Sequence, residues 1–263
     1  MQQVDINCDM GESFGAYRIG ADDDVFPFIT SANIACGFHG GDPTVMRRTV
    51  ARAKERGVAV GAHPGFLDLA GFGRRNIDVR PEEVYDLVVY QVGALLGFAN
   101  AAGITLQHVK AHGALYNMAA ARADLASAIA RAVHDVDRGL SLFGLPGSQL
   151  VRTAETEGLR AVNEAFADRN YMPDGSLVSR ARPDAHVTDA DEAARRAVRM
   201  VREGKVRSVE GHDIAMRADT ICIHGDGPHA AEFARALRAA FERDGIAVRA
   251  VGRASEAGEV PVR

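Results

Sequence analysis

The chain has 263 residues, of which 47% are hydrophobic and 25% charged, with a formal net charge of −4. This is ordinary globular composition and excludes general disorder. Nucleic acid and anionic membrane surfaces are poor partners, because the basic residues are mixed with acidic ones and form no basic cluster. No linker, low-complexity tract or internal repeat interrupts the sequence, which predicts one domain over residues 1–263.

The three cysteines, Cys8, Cys36 and Cys222, lie in or beside apolar runs and include no CxxC pair. This favours buried reduced thiols and a cytoplasmic location. The longest apolar tract, 87–106, is interrupted by Gln91 and several glycines, so we predict a buried helix and a turn there and no membrane span.

Short apolar runs alternate with longer stretches of helical periodicity along the whole chain. The apolar runs predict strands over 4–8, 32–36, 59–62, 105–109, 141–145, 159–164 and 220–224, with 246–251 as a further candidate. The predicted helices are 42–57, one that opens at 80–83, 119–136, 148–157, 190–202 and 229–244. Asp42, which precedes Pro43, is interpreted as a helix N-cap and not as a catalytic group.

This repeated strand–helix alternation predicts a parallel sheet, because each helix returns the chain to start the next strand beside the last. A closed β/α barrel and an open doubly wound sheet both satisfy the pattern. Seven or eight units favour the barrel. In either architecture ligands bind at the carboxyl ends of the strands.

Six of the seven strand ends carry an ionisable group beside a glycine or another small residue. The candidate site residues at these ends are Asp9, His39, His63, Lys110, His112, Glu164 and Asp226. A single residue of this kind is commonly a cap or a structural group. Ionisable groups at almost every carboxyl end instead indicate an enzyme site.

Four other polar residues receive weaker interpretations. Glu12 is expected to cap or pair locally, and His108 is expected to point into the helix layer. His134 and His186 lie in contexts typical of a surface and receive no role.

Two glycine-containing segments suit anions. Gly225, Gly227 and the residues that follow fit G-x-G-x-x-A at a predicted helix start, where backbone N–H groups can hold a phosphate or a carboxylate. The match is weak for a dinucleotide, because no acid ends the following 246–251 run. Arg74 and Arg75, in the loop GFGRRN, also suit anionic groups, with a solvated surface loop as the alternative. The motifs GxxxxGK[ST], HExxH and GxSxG are absent from the sequence.

Seven segments together resemble the LamB/YcsF family, in unbroken order from Val4 to about Gly245. They read NCDMGESFG, SANIACGFHGGDP, GAHPGF, GFGRRN, KAHGALYN, FADRNY and HGDGPHA. One departure is Ala111, where the family usually has proline. The resemblance implies a distorted seven-stranded (β/α) barrel, similar to the glycoside hydrolase/deacetylase fold.

The same resemblance implies a hydrolase acting on a cyclic amide: ATP-dependent opening of 5-oxo-L-proline to L-glutamate. It also implies two partner subunits that resemble the halves of allophanate hydrolase. Phosphorylation of the lactam oxygen would activate the ring carbon, so that water can attack it, the ring C–N bond breaks and phosphate leaves. That chemistry assigns phosphate and carboxylate binding to Lys110, Arg75 and Arg169, with the backbone of Gly225–Gly227 holding phosphate or an oxyanion. The base is then Asp9 or Glu164, and the acid is His63 or His112.

Two alternative functions stay open, and a third is disfavoured. A metal-dependent amidase or deacetylase would need no ATP and would hold a divalent ion with Asp9, His39 and His63. A non-catalytic subunit would only deliver substrate to its partners. Sugar hydrolysis is disfavoured because the chain has no Trp and only 6% aromatic residues. The family resemblance implies ATP with Mg²⁺, whereas the location of the ATP site and the need for another metal stay open.

Overall fold

The computed structural model describes residues 2–224 and 229–252. Its strands, in chain order, are β1 (Gln3–Met10), β2 (Ser31–Ala35), β3 (Ala59–His63), β4 (His108–Lys110), β5 (Ser141–Gly144), β6 (Arg160–Phe166), β7 (Lys205–Arg207), β8 (Asp213–Ala215), β9 (Thr220–Ile223) and β10 (Ala247–Val248). Strands β1 to β6 and β9 are parallel and close into a seven-stranded barrel, because β9 pairs with both β6 and β1. The predicted barrel is therefore confirmed over the open sheet.

The barrel is distorted where it closes. The first two residues of β1, Gln3 and Val4, pair with β10, and the next four, 5–8, pair with β9. The candidate strand at 246–251 thus forms only a two-residue extension. The short antiparallel hairpin of β7 and β8 was not predicted, since its residues are few and largely polar.

The helices are α1 (Asp22–Val25), α2 (Pro43–Arg56), α3 (Pro81–Ala102), α4 (Gly113–Ala121), α5 (Ala123–Val136), α6 (Gln149–Thr156), α7 (Ala190–Glu203) and α8 (Ala230–Arg243). Asp42 is confirmed as the N-cap of α2, because its side chain accepts hydrogen bonds from the backbone of Thr44 and Val45. The single helix predicted over 119–136 is wrong. Arg122 adopts an extended conformation that separates α4 from α5, and α4 begins directly after β4.

Helix α3 confirms the helix and turn predicted for the long apolar tract. It is long and apolar enough to cross a membrane by length and composition, a test that core helices also pass. Val84, Val88, Val92 and Leu95 are fully buried on its inner face, and the helix ends at Gly103 in the left-handed conformation. These contacts make α3 part of the helical layer around the barrel.

Polar side chains fill part of the barrel interior below the carboxyl ends. His108 was expected to point into the helix layer, and this prediction is wrong because its side chain points into the barrel. Its Nε2 lies 2.7 Å from Asn33 Oδ1, and its ring stacks on Phe143. The inward direction follows from β4 alternation, which puts His108 on the same face as Lys110. Deeper still, Asp5 accepts hydrogen bonds from the hydroxyls of Thr30, Ser31 and Thr220.

Candidate active site

Lys110 lies at the centre of the carboxyl end of the barrel. Its Nζ is 2.8 Å from Asp9 Oδ1, 2.9 Å from Glu164 Oε1 and 3.0 Å from Cys222 Sγ. Burial by itself would lower the pKa of Lys110, but the carboxylates of Asp9 and Glu164, with the sulfur of Cys222, raise it well above its ordinary value. Lys110 is therefore a fixed buried cation that draws β1, β6 and β9 together.

Asp9 connects this cation to a group of histidines. Its Oδ1 also accepts a hydrogen bond from Asn33 Nδ2 at 2.8 Å, and its Oδ2 lies 3.3 Å from His63 Nε2. Burial would raise the pKa of Asp9, but the neighbouring His63 and the ammonium of Lys110 hold it well below its ordinary value. Asp9 is thus a carboxylate at neutral pH.

Two imidazoles meet beside Asp9. His112 Nδ1 lies 2.9 Å from His63 Nε2. The far nitrogen of each ring contacts a backbone carbonyl: His63 Nδ1 is 2.7 Å from Lys110 O, and His112 Nε2 is 2.8 Å from Phe72 O. Burial, followed by the proximity of the imidazoles of His39 and His63, lowers the pKa of His112 well below its ordinary value.

His39 and Glu12 complete this group. The ring of His39 stacks on His112 with centroids 3.7 Å apart, and His39 Nε2 lies 3.4 Å from Glu12 Oε1. Glu12 Oε1 is also 3.7 Å from His112 Nδ1. Glu12, expected only to cap or pair locally, was thus missed as a site residue. The available signal was its position two residues after β1, beside the glycine at 11.

The loop after β3 positions His112 from outside. Phe72 is the non-glycine residue of the described chain with a positive φ, 53°, and its carbonyl faces His112. Gly73 follows with φ 62°, and a side chain there would collide with His39 and His112. Asp68 pairs with Arg75 across the base of the loop. Arg75, predicted to bind an anion, therefore also fixes the loop that holds His112.

A cavity of about 1130 Å³ opens above these residues. Asp9, His63, Lys110 and His112 lie in its wall, together with Tyr116 from α4. Four arginines also line it: Arg74, Arg75, Arg169 and Arg180. The buried guanidinium of Arg169 donates to the carbonyls of Val178 and Ala185, and burial with the charge of Arg180 lowers its pKa to about 10.

A second group lies at the ends of β6 and β9. His224 Nδ1 is 2.7 Å from Asp168 Oδ2, and Arg180 donates to His224 Nε2 over 2.9 Å. These residues and His186, which had received no role, border a neighbouring cavity of about 340 Å³. The predicted candidates Gly225, Asp226 and Gly227 lie outside the described residues.

The structure brings most of the predicted candidates together. Those that meet at the carboxyl ends of the strands are Asp9, His39, His63, Lys110, His112 and Glu164. Of these, Asp9, His63, Lys110 and His112 line the larger cavity. Fold and site define an α/β-barrel protein with its ionisable groups collected at the carboxyl ends of the strands, where barrel enzymes bind their ligands.

The chain belongs to the LamB/YcsF family, whose profile matches residues 4–256. It is 60% identical over 250 residues to the A subunit of 5-oxoprolinase from Bacillus licheniformis, covering 95% of this chain and 99% of that protein. It is 59% identical over 251 residues to the corresponding 5-oxoprolinase protein of Bacillus subtilis, covering 95% of this chain and 98% of that one. The crystal structure of a lactam utilization protein from Thermus thermophilus matches with a TM-score of 0.90 and 53% identity, over 95% of this chain and 100% of that chain. The resemblance inferred from the sequence segments is thereby confirmed.

Proposed function

We propose that this chain catalyses the ATP-dependent hydrolytic opening of 5-oxo-L-proline to L-glutamate, as one subunit of a multi-subunit enzyme. The observation that carries the proposal is the 60% identity, over nearly the full length of both chains, to a protein named as the A subunit of 5-oxoprolinase. Opening the ring adds water across its C–N bond. The reaction therefore needs a base for water, a proton for the departing nitrogen and cations for the substrate carboxylate.

A five-membered lactam is a poor electrophile, and ATP, carried with Mg²⁺, would transfer a phosphoryl group to its carbonyl oxygen and leave ADP. Water would then add to the activated carbon, the ring C–N bond would break as the nitrogen takes a proton, and a second water would release phosphate to leave glutamate. The larger cavity fits anionic ligands because Arg74, Arg75 and Arg180 line it. Arg169, anchored to two carbonyls, shapes the segment that carries Arg180. The phosphate-binding role of Gly225–Gly227 stays a prediction from the sequence.

Asp9 is the proposed base. It lines the cavity and is held as a carboxylate, so it can accept a hydrogen bond from the attacking water and take up its proton as the new C–O bond forms. Glu164, the other predicted base, lies behind Lys110 with no exposed surface. Its carboxylate is better suited to holding Lys110, which in turn keeps Asp9 charged and in place.

His63 is the proposed acid for the departing nitrogen. Its Nε2 faces Asp9 and His112 at the cavity wall, so a proton received there can be passed to a substrate atom. His112 is the weaker of the two predicted acids, because its lowered pKa keeps the ring neutral and its Nε2 proton is directed at Phe72 O. His39 supports His112 by stacking.

Two partner subunits, resembling the halves of allophanate hydrolase, are proposed to complete the enzyme in the cytoplasm. The word "subunit" in the names of the relatives supports an assembly. Three buried free cysteines suit a reducing compartment.

The test is glutamate release from 5-oxoproline, measured with and without ATP, for this chain alone and with the two partner subunits. We expect release only with ATP and all three chains, and its loss in Asp9→Asn, which keeps the size of the side chain. Full activity of Asp9→Asn would remove Asp9 from the reaction. No release from the complete mixture would overturn the proposed reaction.

A metal-dependent amidase is the second candidate, and the buried cluster of Glu12 and three histidines favours it. It predicts hydrolysis of a small amide without ATP, lost on treatment with a chelator and restored by a divalent ion. Assays of small amides and N-acetylated sugars without nucleotide, with and without a chelator, distinguish this function from ATP-dependent glutamate release.

A further inference from the structure

The hydrogen bonds of His63 and His112 fix which nitrogen of each ring carries a proton. A backbone carbonyl only accepts hydrogen bonds, so His63 Nδ1 and His112 Nε2, which face Lys110 O and Phe72 O, must be the protonated nitrogens. In neutral rings the two remaining nitrogens therefore carry lone pairs. These nitrogens, His63 Nε2 and His112 Nδ1, face each other at 2.9 Å.

Two lone pairs at this distance repel unless an electrophile lies beside them. A proton shared between His63 Nε2 and His112 Nδ1 would remove this repulsion, but it would leave the nitrogens of His39 without a hydrogen-bond partner in the part of the chain that the structure describes. His39, whose side chain is fully buried, makes no hydrogen bond with either ring nitrogen among residues 2–224 and 229–252. Its Nδ1 faces Gly65, where a side-chain carbon would lie 2.6 Å away, and its Nε2 points towards Glu12 Oε1.

We infer that Glu12, His39, His63 and His112 form a binding site for one divalent transition-metal ion of the zinc type. Each residue offers one ligand atom, and these atoms all lie within 4.8 Å of one another. The carbonyls of Lys110 and Phe72 orient two of the imidazoles in the way that outer partners orient metal-bound histidines. Such an ion satisfies all three histidines, which one proton cannot do.

The ligand types select the class of ion. Three imidazoles and one carboxylate suit Zn²⁺, Co²⁺ or Fe²⁺, whereas Mg²⁺ prefers oxygen ligands and water. A second possible group of ligands, Asp9, Cys222 and His224, is less suitable. The ammonium of Lys110 lies 3.0 Å from Cys222 Sγ and 2.8 Å from Asp9 Oδ1, so it already supplies the positive charge there.

The inferred site borders the wall of the larger cavity, where His63 and His112 stand beside Asp9. An ion there would act as a Lewis acid next to the proposed base. His63 and His112 would then be ligands, and the acid role proposed for His63 would pass to another group. Binding of the ion does not depend on the identity of the substrate.

The test is a titration of the metal-free chain with Co²⁺, followed by visible absorption, with Zn²⁺ competition and elemental analysis of the purified protein. We expect one ion per chain. His112→Gln and Glu12→Gln should each weaken binding about 100-fold or more, beyond the 10- to 100-fold typical for an outer partner. His108→Gln is the matched control, because His108 is buried in the same barrel but contacts Asn33.

Thermal unfolding of each variant without metal shows whether it folds. If His112→Gln fails to fold, the nearly isosteric Glu12→Gln decides. The inference is overturned if the folded wild-type chain takes up no stoichiometric Co²⁺ or Zn²⁺, or if Glu12→Gln binds as tightly as the wild type. The glutamate assay is a separate readout: binding of the ion without turnover would reject the proposed reaction and leave the metal site standing.

Discussion

Lys110 Nζ lies 2.8 Å from Asp9 Oδ1, and the two side chains are only 3% and 8% exposed. Glu164, with no exposed surface, shares the same ammonium. One buried cation therefore balances two buried carboxylates on different strands. Removal of either kind of partner leaves charge in a region of low dielectric constant, which costs more than the pair itself contributes.

Lys110→Met is expected to destabilise the fold by about 3–5 kcal/mol, because Asp9 and Glu164 lose their common counter-charge. The variant should also abolish glutamate release. Urea unfolding and the turnover assay measure the two effects. Lys205→Met, at an exposed position of β7, is the control and should change stability by less than about 0.5 kcal/mol. A loss below about 1 kcal/mol in Lys110→Met would contradict a role for Lys110 as the balancing charge.

Gly61→Ala is expected to destabilise the barrel by about 1–3 kcal/mol, because the new carbon would overlap the ring of His108. That ring cannot easily move, since it stacks on Phe143 with centroids 4.2 Å apart. The double variant Gly61→Ala/His108→Ala should cost less than the sum of the two single changes. Gly93→Ala, with open space at an exposed helix position, should be neutral or stabilising. Additive effects at residues 61 and 108 would contradict the contact.

His108 is expected to make the fold sensitive to acid. Burial, then the charge of Lys110, lowers the pKa of His108 to about 3. Because this folded-state pKa is below the unfolded value of about 6.5, the unfolded chain binds the proton first. The contribution of His108 is thus present above pH 6.5 and is lost as the pH falls towards 3, at up to about 1.4 kcal/mol per pH unit.

His108→Gln keeps a donor for Asn33 and should flatten this slope in urea unfolding measured between pH 7 and pH 4. His134→Gln, at a partly exposed position of α5, serves as the control. An unchanged slope in His108→Gln would show that other groups cause the acid sensitivity.

Asp5 is expected to act in the opposite direction. Burial raises its pKa to about 6, although three hydroxyl hydrogen bonds lower it. Because the folded pKa is raised, its contribution is present below about pH 3.9 and is lost as the pH rises through about 6. The difference in unfolding free energy between Asp5→Asn and the wild type should therefore shift in favour of the variant by about 2 kcal/mol from pH 4 to pH 7. Asp24→Asn, an exposed change, is the control, and its difference in unfolding free energy from the wild type should be the same at pH 4 and pH 7. If the difference for Asp5→Asn is also the same at both pH values, the raised pKa of Asp5 is contradicted.

The sequence predicted the barrel well because its signals are local. Apolar runs followed by glycine, and an N-cap such as Asp42, depend on a few neighbouring residues, and the strand count then favours closure. The single helix predicted over 119–136 was wrong for an equally local reason. One extended residue, Arg122, separates two helices, and the helical periodicity of the sequence continues on both sides of it.

The sequence by itself determined which residues reach the carboxyl end of the barrel, since parallel strands all place their ends on the same side. Only the tertiary structure decided which of them touch. Glu12 joins the histidines across the ends of β1, β2, β3 and β4, and Lys110 binds carboxylates from β1 and β6. These contacts depend on barrel closure, strand stagger and the course of the 68–75 loop, which bring together side chains far apart in the chain and set distances that no local pattern encodes.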